Sequence, residues 1–248
     1  MRIDVVFGPG AVLPPLVAGR VVAVIDVLRA STTVAAALAN GARNVVPLDS
    51  ADAVMTRSRQ LERADVRTAG ERKMQPIPGF DLGNSPREFT REVVEGKTVL
   101  FTTTNGTTAL LAVQGARDII VASYVNLTAV TTLLRTAARG GTDVTIVCAG
   151  RDRQFALEDA ACAGRFARLV SEHVPEIELG DGALACTIID GRYGDGLDRM
   201  FAESEHGRAL AGAGFADDLV ACAAVDAFPV IPIYQDRQIT LLGPDRER

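Results

Sequence analysis

Short apolar runs alternate along the first two thirds of the chain with segments whose apolar residues recur at helical spacing. The runs VVAVIDV at 21–27 and TVLFT at 98–102 are typical of buried strands, whereas TTVAAALANGA at 32–42 and the segment 156–174 are typical of helices. This alternation predicts a mostly parallel sheet that is covered by helices on both faces. The predicted fold class is therefore α/β, a three-layer α/β/α sandwich.

The final third of the chain has a different pattern. Residues 180–225 have helical spacing with glycine breaks, and VIPIYQDRQITLL at 230–242 predicts two strands joined by a tight turn at Gln235-Asp236. Strands so close in sequence pair antiparallel, so we expect a mixed sheet. A length of 248 residues fits one large α/β domain or two small ones, and we interpret residues 1–248 as one domain.

Two segments of the chain resemble each other. TTVAAALANGARNVV begins at Thr32 and TTALLAVQGARDII begins at Thr107; each has two threonines, a small apolar helix, Gly-Ala-Arg and a strand. One interpretation is a duplicated βαβ unit, around residues 21–48 and 98–122. The alternative is that any helix with a threonine start and a C-terminal glycine has this appearance.

The composition and charge of the chain disfavour several classes of protein. The net charge of −5 and the isoelectric point of about 5.2 argue against a broad nucleic-acid-binding surface. The N-terminal segment predicts a strand rather than a signal peptide, and no apolar run reaches the roughly 18 residues of a membrane span. The cysteines form no CxxC pair, so we expect reduced, mostly buried thiols in a cytoplasmic protein; they are Cys148, Cys162, Cys186 and Cys222.

Polar side chains gather where the predicted strands end. Because ligands of open α/β sheets bind beyond the carboxyl ends of the strands, we expect these side chains to converge at one edge of the sheet. Hydroxyls and N–H groups at helix starts suit a phosphate or sulfonate, arginines add bidentate partners, and carboxylates among them indicate Mg²⁺. The candidates are Asp26, Arg29, Ser31, Thr32 and Thr33; then Thr103, Thr104, Asn105 and Gly106; and finally Arg151, Glu158 and Asp159.

Several of these residues also have a simpler interpretation. Serine and threonine before a helix are commonly N-caps, and Glu158 and Asp159 also favour the positive end of their own helix. These two are adjacent, about 100° apart around a helix, so only one is expected to face the site. Asp26 is harder to explain structurally, because an aspartate at the end of an apolar run needs a partner.

One long connection is a candidate functional loop, and several known catalytic motifs do not fit this sequence. The connection 69–89, which holds Arg72, is long for a compact domain, and such connections are often functional. No GxxxxGK[ST] loop occurs, which disfavours P-loop nucleotide chemistry. The two histidines, His173 and His206, are interpreted as helix-end residues, so zinc–histidine sites and Ser-His-Asp triads are also disfavoured.

Four segments, taken in order, resemble the 2-phosphosulfolactate phosphatases. They are VIDVLRASTTVAAALANGA, AGERKMQPIPGFDLGNSPREF, LFTTTNGTTAL and VCAGRDRQFALEDAACAG. The resemblance implies a three-layer α/β/α sandwich and the Mg²⁺-dependent hydrolysis of 2-phospho-3-sulfolactate to 3-sulfolactate and phosphate. In some organisms it also implies a step on the route to coenzyme M.

Chemistry and resemblance together suggest roles for the candidates. The substrate would be small and anionic, with no nucleic acid or membrane partner, and phosphoryl transfer depends on positioning and charge stabilisation. Asp26 and one of Glu158 or Asp159 would bind Mg²⁺. Thr103 to Gly106 would hold one anionic group, Ser31 to Thr33 another, and Arg29, Arg72 and Arg151 would neutralise charge, with Asp26, Arg29 and Arg151 as the catalytic set.

Three questions stay open at this stage. Asp26 either becomes phosphorylated or works with an attacking water, and the chain either forms a homo-oligomer or does not. Two rival functions also stand: a hydrolase of another phosphorylated hydroxy acid, and a non-catalytic anion-binding module on the same scaffold.

Overall fold

The fold is taken from a computed structural model, which describes residues 1–152 and 154–243. The strands are β1 Arg2–Val6, β2 Val21–Ile25, β3 Asn44–Pro47, β4 Val66–Arg72, β5 Gln75–Pro76, β6 Thr98–Thr102, β7 Asp118–Ala122, β8 Val144–Cys148, β9 Glu178–Leu179, β10 Pro232–Gln235 and β11 Gln238–Leu241. The α-helices are α1 Ala30–Ala39, α2 Ala51–Ser58, α3 Arg91–Val94, α4 Gly106–Ala112, α5 Leu127–Arg139, α6 Leu157–Ser171, α7 Asp181–Tyr193, α8 Leu197–Glu203, α9 Glu205–Gly212 and α10 Ala216–Ala223.

All described strands join one mixed sheet, in the order β5-β4-β6-β3-β11-β10-β7-β2-β8-β1-β9. Two parallel blocks, β4-β6-β3 and β7-β2-β8-β1-β9, flank the antiparallel hairpin of β10 and β11. The predicted mostly parallel, mixed sheet is confirmed.

Helices cover both faces of the sheet. One face packs Val24 and Phe101 against Leu38 of α1 and Leu110 of α4. On the other face, the strands β1, β2 and β8 pack against α5, α6 and α7, with Phe166 fully buried among them. The same face of the other block packs against α2. Three layers result, which confirms the predicted α/β/α sandwich.

The central hairpin reverses the direction of the sheet. Three antiparallel junctions separate β3 from β7, so the two parallel blocks run in opposite directions. The expectation that all strand ends share one edge is therefore wrong for β2 and β6. By the direction of the strands, their carboxyl ends belong to opposite edges of the sheet. Those two ends nevertheless meet: a Cβ built on Gly106 would lie 3.0 Å from Oδ2 of Asp26.

Local differences from the sequence predictions have simple causes. Ser85 followed by Pro86 in the sequence favours a helix start. The segment instead forms a 3₁₀ turn, Pro86–Glu88, followed by the short α3, and the Ser85 hydroxyl donates to Asp218 instead of capping. The hairpin turn is one residue later than predicted, at Asp236 and Arg237, whose φ angles of 51° and 61° match a type I′ turn.

Two expectations about composition can be compared with the described residues. All four cysteines are buried free thiols. No helix in residues 1–152 and 154–243 is long and apolar enough to cross a membrane.

Candidate active site

A cavity of about 290 Å³ opens where the loops after β2, β4, β6 and β8 meet α9. It forms where the loops that follow β2 and β6 approach each other. Its lining is rich in groups that ionise or form hydrogen bonds: Asp26, Leu28, Arg29, Glu71, Lys73, Met74, Asn84, Thr103, Thr104, Asn105, Arg151, Asp152, His206 and Leu210. Seven of these lining residues carry charged or imidazole side chains, which suits a charged ligand.

 The seven are Asp26, Arg29, Glu71, Lys73, Arg151, Asp152 and His206. Glu158 of α6 is not a lining residue, but its carboxylate contacts the His206 ring.

Asp26 is the first residue after β2 and is buried at the base of this cavity. Its backbone N–H donates to the Ser31 hydroxyl at 2.9 Å, and its carboxylate accepts a long hydrogen bond of 3.4 Å from the Ala30 N–H. Burial raises the pKa of Asp26 to about 6; the charges of Glu71 and Glu158 also raise it, whereas His206 lowers it. The site therefore holds a carboxylate that is only partly compensated by protein groups.

The loop after β6 forms the facing wall with neutral polar groups. The Thr103 hydroxyl is buried and has no hydrogen-bond partner among the described residues. Thr104 is exposed, and its N–H donates to Glu71 Oε1 at 2.8 Å; the side-chain oxygen of Asn105 accepts from the Asp152 N–H at 3.2 Å. Gly106 is required by close approach, because a Cβ there would lie 2.9 Å from the Ala30 Cβ.

Glu71, near the end of β4, is a site residue that the sequence candidates did not include. It is buried, and its two carboxylate oxygens accept hydrogen bonds from the Thr104 N–H and the Met74 N–H, both at 2.8 Å. It therefore ties the loop after β4 to the loop after β6. The available signal was its place in the long connection 69–89, just after a short predicted strand.

Glu158 and His206 form a pair on the side of the cavity made by α6 and α9. The His206 Nδ1 lies 3.0 Å from Glu158 Oε1, and Glu158 Oε2 is buried without a partner among the described residues. His206 lines the cavity, whereas Glu158 is not among the lining residues. His206 was predicted only as a helix-end residue; α9 belongs to the C-terminal helical third, and packing rather than any local motif brings it to the site.

Asp159 has a different environment from its neighbour. Its two oxygens accept the N–H groups of Val27 at 2.9 Å and Gly150 at 3.0 Å, so it joins the ends of β2 and β8. Burial raises its pKa well above the usual value, and the charges of Glu158 and Asp26 add to that effect. Asp159 thus fixes the loops that follow β2 and β8, and it is not among the lining residues.

Arg29 lines the cavity, but other groups of the protein already bind its guanidinium. Nη1 donates to Asp218 at 2.6 Å, Nη2 donates to the Met74 carbonyl at 2.9 Å, and the group lies 4.3 Å from the ring centroid of Phe215. Because Asp218 balances its charge, Arg29 mainly fixes the surrounding loops.

The other two predicted arginines are placed differently. Arg151 lines the cavity and makes a partly exposed ion pair with Glu205 at 3.1 Å. Arg72 is not a lining residue; it donates to the Glu71 carbonyl at 2.7 Å and to the Thr102 hydroxyl at 2.9 Å. The structure brings Arg151, but not Arg72, to the cavity.

The hydroxyls of Ser31, Thr32 and Thr33 are directed into the protein. Thr32 donates to the Val27 carbonyl at 3.0 Å and contacts the Ser123 hydroxyl at 2.9 Å, and Thr33 donates to the Asn84 carbonyl at 2.9 Å. Ser31 accepts from the Asp26 N–H. All three side chains are buried and none lines the cavity, so their hydrogen bonds support the loop that carries Asp26.

Comparison with known proteins identifies the family of this chain. The family model for 2-phosphosulpholactate phosphatase matches residues 13–237. The chain belongs to the 2-phosphosulfolactate phosphatase family.

Named relatives in this family are similar over nearly their whole length. A probable 2-phosphosulfolactate phosphatase from Symbiobacterium thermophilum is 40% identical over 232 residues, covering 93% of this chain and 98% of the relative. Proteins of the same name from Caldanaerobacter subterraneus and Clostridium botulinum are 36% and 32% identical, covering 85% and 98% of this chain and 86% and 100% of their own length. Such proteins are phosphoric monoester hydrolases by name.

A larger groove of about 1150 Å³ lies elsewhere on the molecule, beside the starts of β2 and β7 and the hairpin β10–β11. None of its described lining residues is a predicted site residue. The smaller cavity holds the buried carboxylate and the unpartnered hydroxyl, so chemistry rather than volume identifies the candidate active site of this family member.

Proposed function

We propose that this chain hydrolyses 2-phospho-3-sulfolactate to 3-sulfolactate and inorganic phosphate, with Mg²⁺ as cofactor. The observation that carries the proposal is Asp26, a buried carboxylate with a pKa of about 6 that lines one cavity together with Thr103, whose buried hydroxyl has no partner among the described residues. The family resemblance supplies the substrate. The four buried free cysteines support the cytoplasmic location included in the proposal, and the resemblance adds the step toward coenzyme M.

The donor set fits a magnesium ion that is completed by the substrate. No three His, Cys, Asp or Glu side chains of residues 1–152 and 154–243 form a metal-binding group by themselves. Mg²⁺, however, is commonly held by one or two carboxylates together with water and substrate phosphate. Asp26 and Glu158 would hold it, because Glu158 Oε2 is buried without a partner among the described residues. Asp159, whose oxygens accept two N–H groups, would position the loops instead.

Bound Mg²⁺ would offset the negative charge of the phosphoryl group. The protein's own groups would orient that phosphoryl group: the Thr103 hydroxyl would donate to a phosphate oxygen, with Thr104 and Asn105 beside it. Arg151, on the loop after β8, would add positive charge to the cavity. Hydrolysis breaks the bond between phosphorus and the oxygen on C2, and water supplies both the new phosphate oxygen and the proton of the sulfolactate hydroxyl.

Asp26 has two chemical routes in this scheme. It either attacks phosphorus to give an aspartyl phosphate, which water then hydrolyses, or it accepts a proton from an attacking water. Acid quenching during turnover separates them, because only the first route leaves a phosphoryl group on the peptide that contains Asp26.

The test of the function is phosphate release from a panel of phosphorylated acids, with Mg²⁺ and with a chelator. The panel contains 2-phospho-3-sulfolactate, 2-phospholactate, phosphoglycolate and glycerol 2-phosphate. We expect the highest kcat/KM for 2-phospho-3-sulfolactate, and loss of turnover on chelation. A higher value for another hydroxy-acid ester would identify a different substrate, and binding without phosphate release would identify the non-catalytic module.

A further inference from the structure

The charge balance of the cavity wall differs from one cation to the next. Arg29 is neutralised by Asp218, and Arg151 is paired with Glu205. Lys73 also lines the cavity, and within the described part of the chain its amine has neither a carboxylate within ion-pair distance nor a hydrogen-bond acceptor. Among the described residues, Lys73 is therefore the lysine or arginine of the cavity wall that has no ion-pair partner.

The backbone at Lys73 has an unfavourable conformation for a lysine. Glu71 pairs with Pro76 and Arg72 with Gln75, so Lys73 and Met74 form a two-residue hairpin turn. Their φ angles are 51° and 68°, as in a type I′ turn, which strongly prefers Asn-Gly. Left-handed conformations of other residues are costly and are enriched at functional sites.

Two hydrogen bonds hold this turn over the cavity. The Met74 carbonyl accepts from Arg29 Nη2 at 2.9 Å, and the Met74 N–H donates to Glu71 Oε2 at 2.8 Å. Both partners are buried. The Lys73 backbone is thus fixed to the cavity wall, while its exposed side chain is free to meet a ligand at the mouth.

We propose that Lys73 binds the sulfonate of the substrate and is the residue that selects a sulfonated phosphate ester over one without the sulfonate. This role rests on the proposed function. A sulfonate is a tetrahedral group with three equivalent charged oxygens, which suits the three rotatable donors of an ammonium group. The flat carboxylate suits the guanidinium fork of Arg151, on the loop after β8.

The chain offers a matched control for this proposal. Of its 26 basic residues only two, Lys73 and Lys97, are lysines. Lys97 precedes β6, outside the cavity. Lys73→Asn and Lys97→Asn remove the same charge, and asparagine tolerates the left-handed conformation at position 73.

The kinetic test compares 2-phospho-3-sulfolactate with 2-phospholactate, which lacks the sulfonate. We expect Lys73→Asn to lower kcat/KM for the sulfonated ester by roughly tenfold or more, the usual effect of losing a charge-assisted hydrogen bond. The value for 2-phospholactate should change less than about threefold, and Lys97→Asn should change neither. The melting temperature of Lys73→Asn should be unchanged or higher, because the strained lysine is gone.

Other outcomes overturn the proposal. An equal loss for both esters would mean that Lys73 serves the phosphate or the fold, and no loss for either would remove Lys73 from the site. Wild-type enzyme that releases phosphate from neither ester would overturn the proposed function itself, which is a different result.

Chemical modification gives a second readout that needs no turnover. Reductive methylation followed by peptide mass spectrometry reports each lysine separately, because there are only two. We expect 3-sulfolactate to protect Lys73 but not Lys97, and lactate to protect neither. Unchanged modification of Lys73 at 3-sulfolactate concentrations that inhibit the enzyme would contradict the assignment.

Discussion

Two segments of the sheet, 21–72 and 98–148, have the same succession of elements but deliver different chemistry. The first is β2-α1-β3-α2-β4 and the second is β6-α4-β7-α5-β8. In the sheet their strands occupy mirrored positions on the two sides of the hairpin β10–β11, with β2 matching β6 and β4 matching β8. α1 and α4 also cover the same face.

The difference lies in the loops that follow matching strands. The first residue after β2 is Asp26, and the first residue after β6 is Thr103. Segment 21–72 also contributes Glu71 to the cavity, whereas the loop after β6 contributes only hydroxyl and amide side chains. At the matching ends of β2 and β6, one loop therefore supplies a carboxylate and the other supplies neutral donors, as a metal-bound phosphate ester would need. The duplication itself stays a hypothesis, now with an arrangement of strands that agrees with it.

Removing the charge of segment 21–72 should have the largest effect. We expect Asp26→Asn to lower kcat by about 10²- to 10⁴-fold, since either proposed route uses its carboxylate. The fold should become more stable at pH 7.5. Asp26 has a raised pKa of about 6 in the folded, metal-free protein, so its ionisation opposes folding above that pH, and asparagine removes this cost.

Steady-state kinetics and thermal melts of the same preparation would check both effects. Asp118→Asn is the control, because Asp118 begins β7, away from the cavity, and should leave kcat unchanged. Normal turnover by Asp26→Asn would show that the carboxylate after β2 is not needed. The contrast between the loops after β2 and β6 would then have no role in catalysis.

Removing the neutral donor of the other segment should have an intermediate effect. Thr103→Val keeps the size of the side chain and deletes a buried hydroxyl that has no partner among the described residues. We expect kcat/KM to fall about 10- to 150-fold, which corresponds to losing a hydrogen bond to a charged ligand. Stability should be unchanged or slightly higher, because no hydrogen bond seen in the described fold is lost.

Thr108→Val is the matched control. Thr108 is exposed, whereas its neighbour Thr107 is buried. An exposed hydroxyl outside the cavity should leave kcat/KM within about twofold. A comparable loss in both variants would show that α4, rather than the Thr103 hydroxyl, is being perturbed.

The pH dependence of magnesium stabilisation should give a smaller effect. Without metal, stability should fall as pH rises from about 4 to about 6, because the unfolded state releases the Asp26 proton first. Mg²⁺ binds the ionised carboxylate, so it should raise the melting temperature by a few degrees at pH 7.5 and by less at pH 5. Differential scanning calorimetry of wild type and Asp26→Asn would measure this; an equal shift in the variant would contradict the role of Asp26.

Much of the fold could be predicted because its signals are local. The apolar run at 21–25 and the alternation of strands with helices define the layers, and the closeness of β10 to β11 in sequence makes them antiparallel. The insertion of that hairpin between β3 and β7 was not predictable, because it depends on which strands pair over long distances. That pairing makes the two parallel blocks of the sheet run in opposite directions.

The site was predictable where its residues lie in the loops that follow strands. Asp26, Thr103 and Arg151 were found in this way. Glu71 lies inside a strand that extends further than its sequence suggested, and His206 is carried to the cavity by the packing of α9. Residue type alone also could not separate the hydroxyls that face the cavity from those that face the interior.

The smallest expected effect on catalysis concerns those interior hydroxyls. Thr32 is fully buried, and its hydroxyl bonds the Val27 carbonyl and the Ser123 hydroxyl. Thr32→Val removes both of these hydrogen bonds, which should cost about 1–3 kcal/mol of stability and lower the melting temperature by several degrees. Because the hydroxyl does not line the cavity, kcat/KM should stay within about threefold at a temperature where the variant is folded. A tenfold rise in KM with an unchanged melting temperature would instead make Thr32 a substrate ligand, and both segments would then contribute hydroxyls to the bound anion.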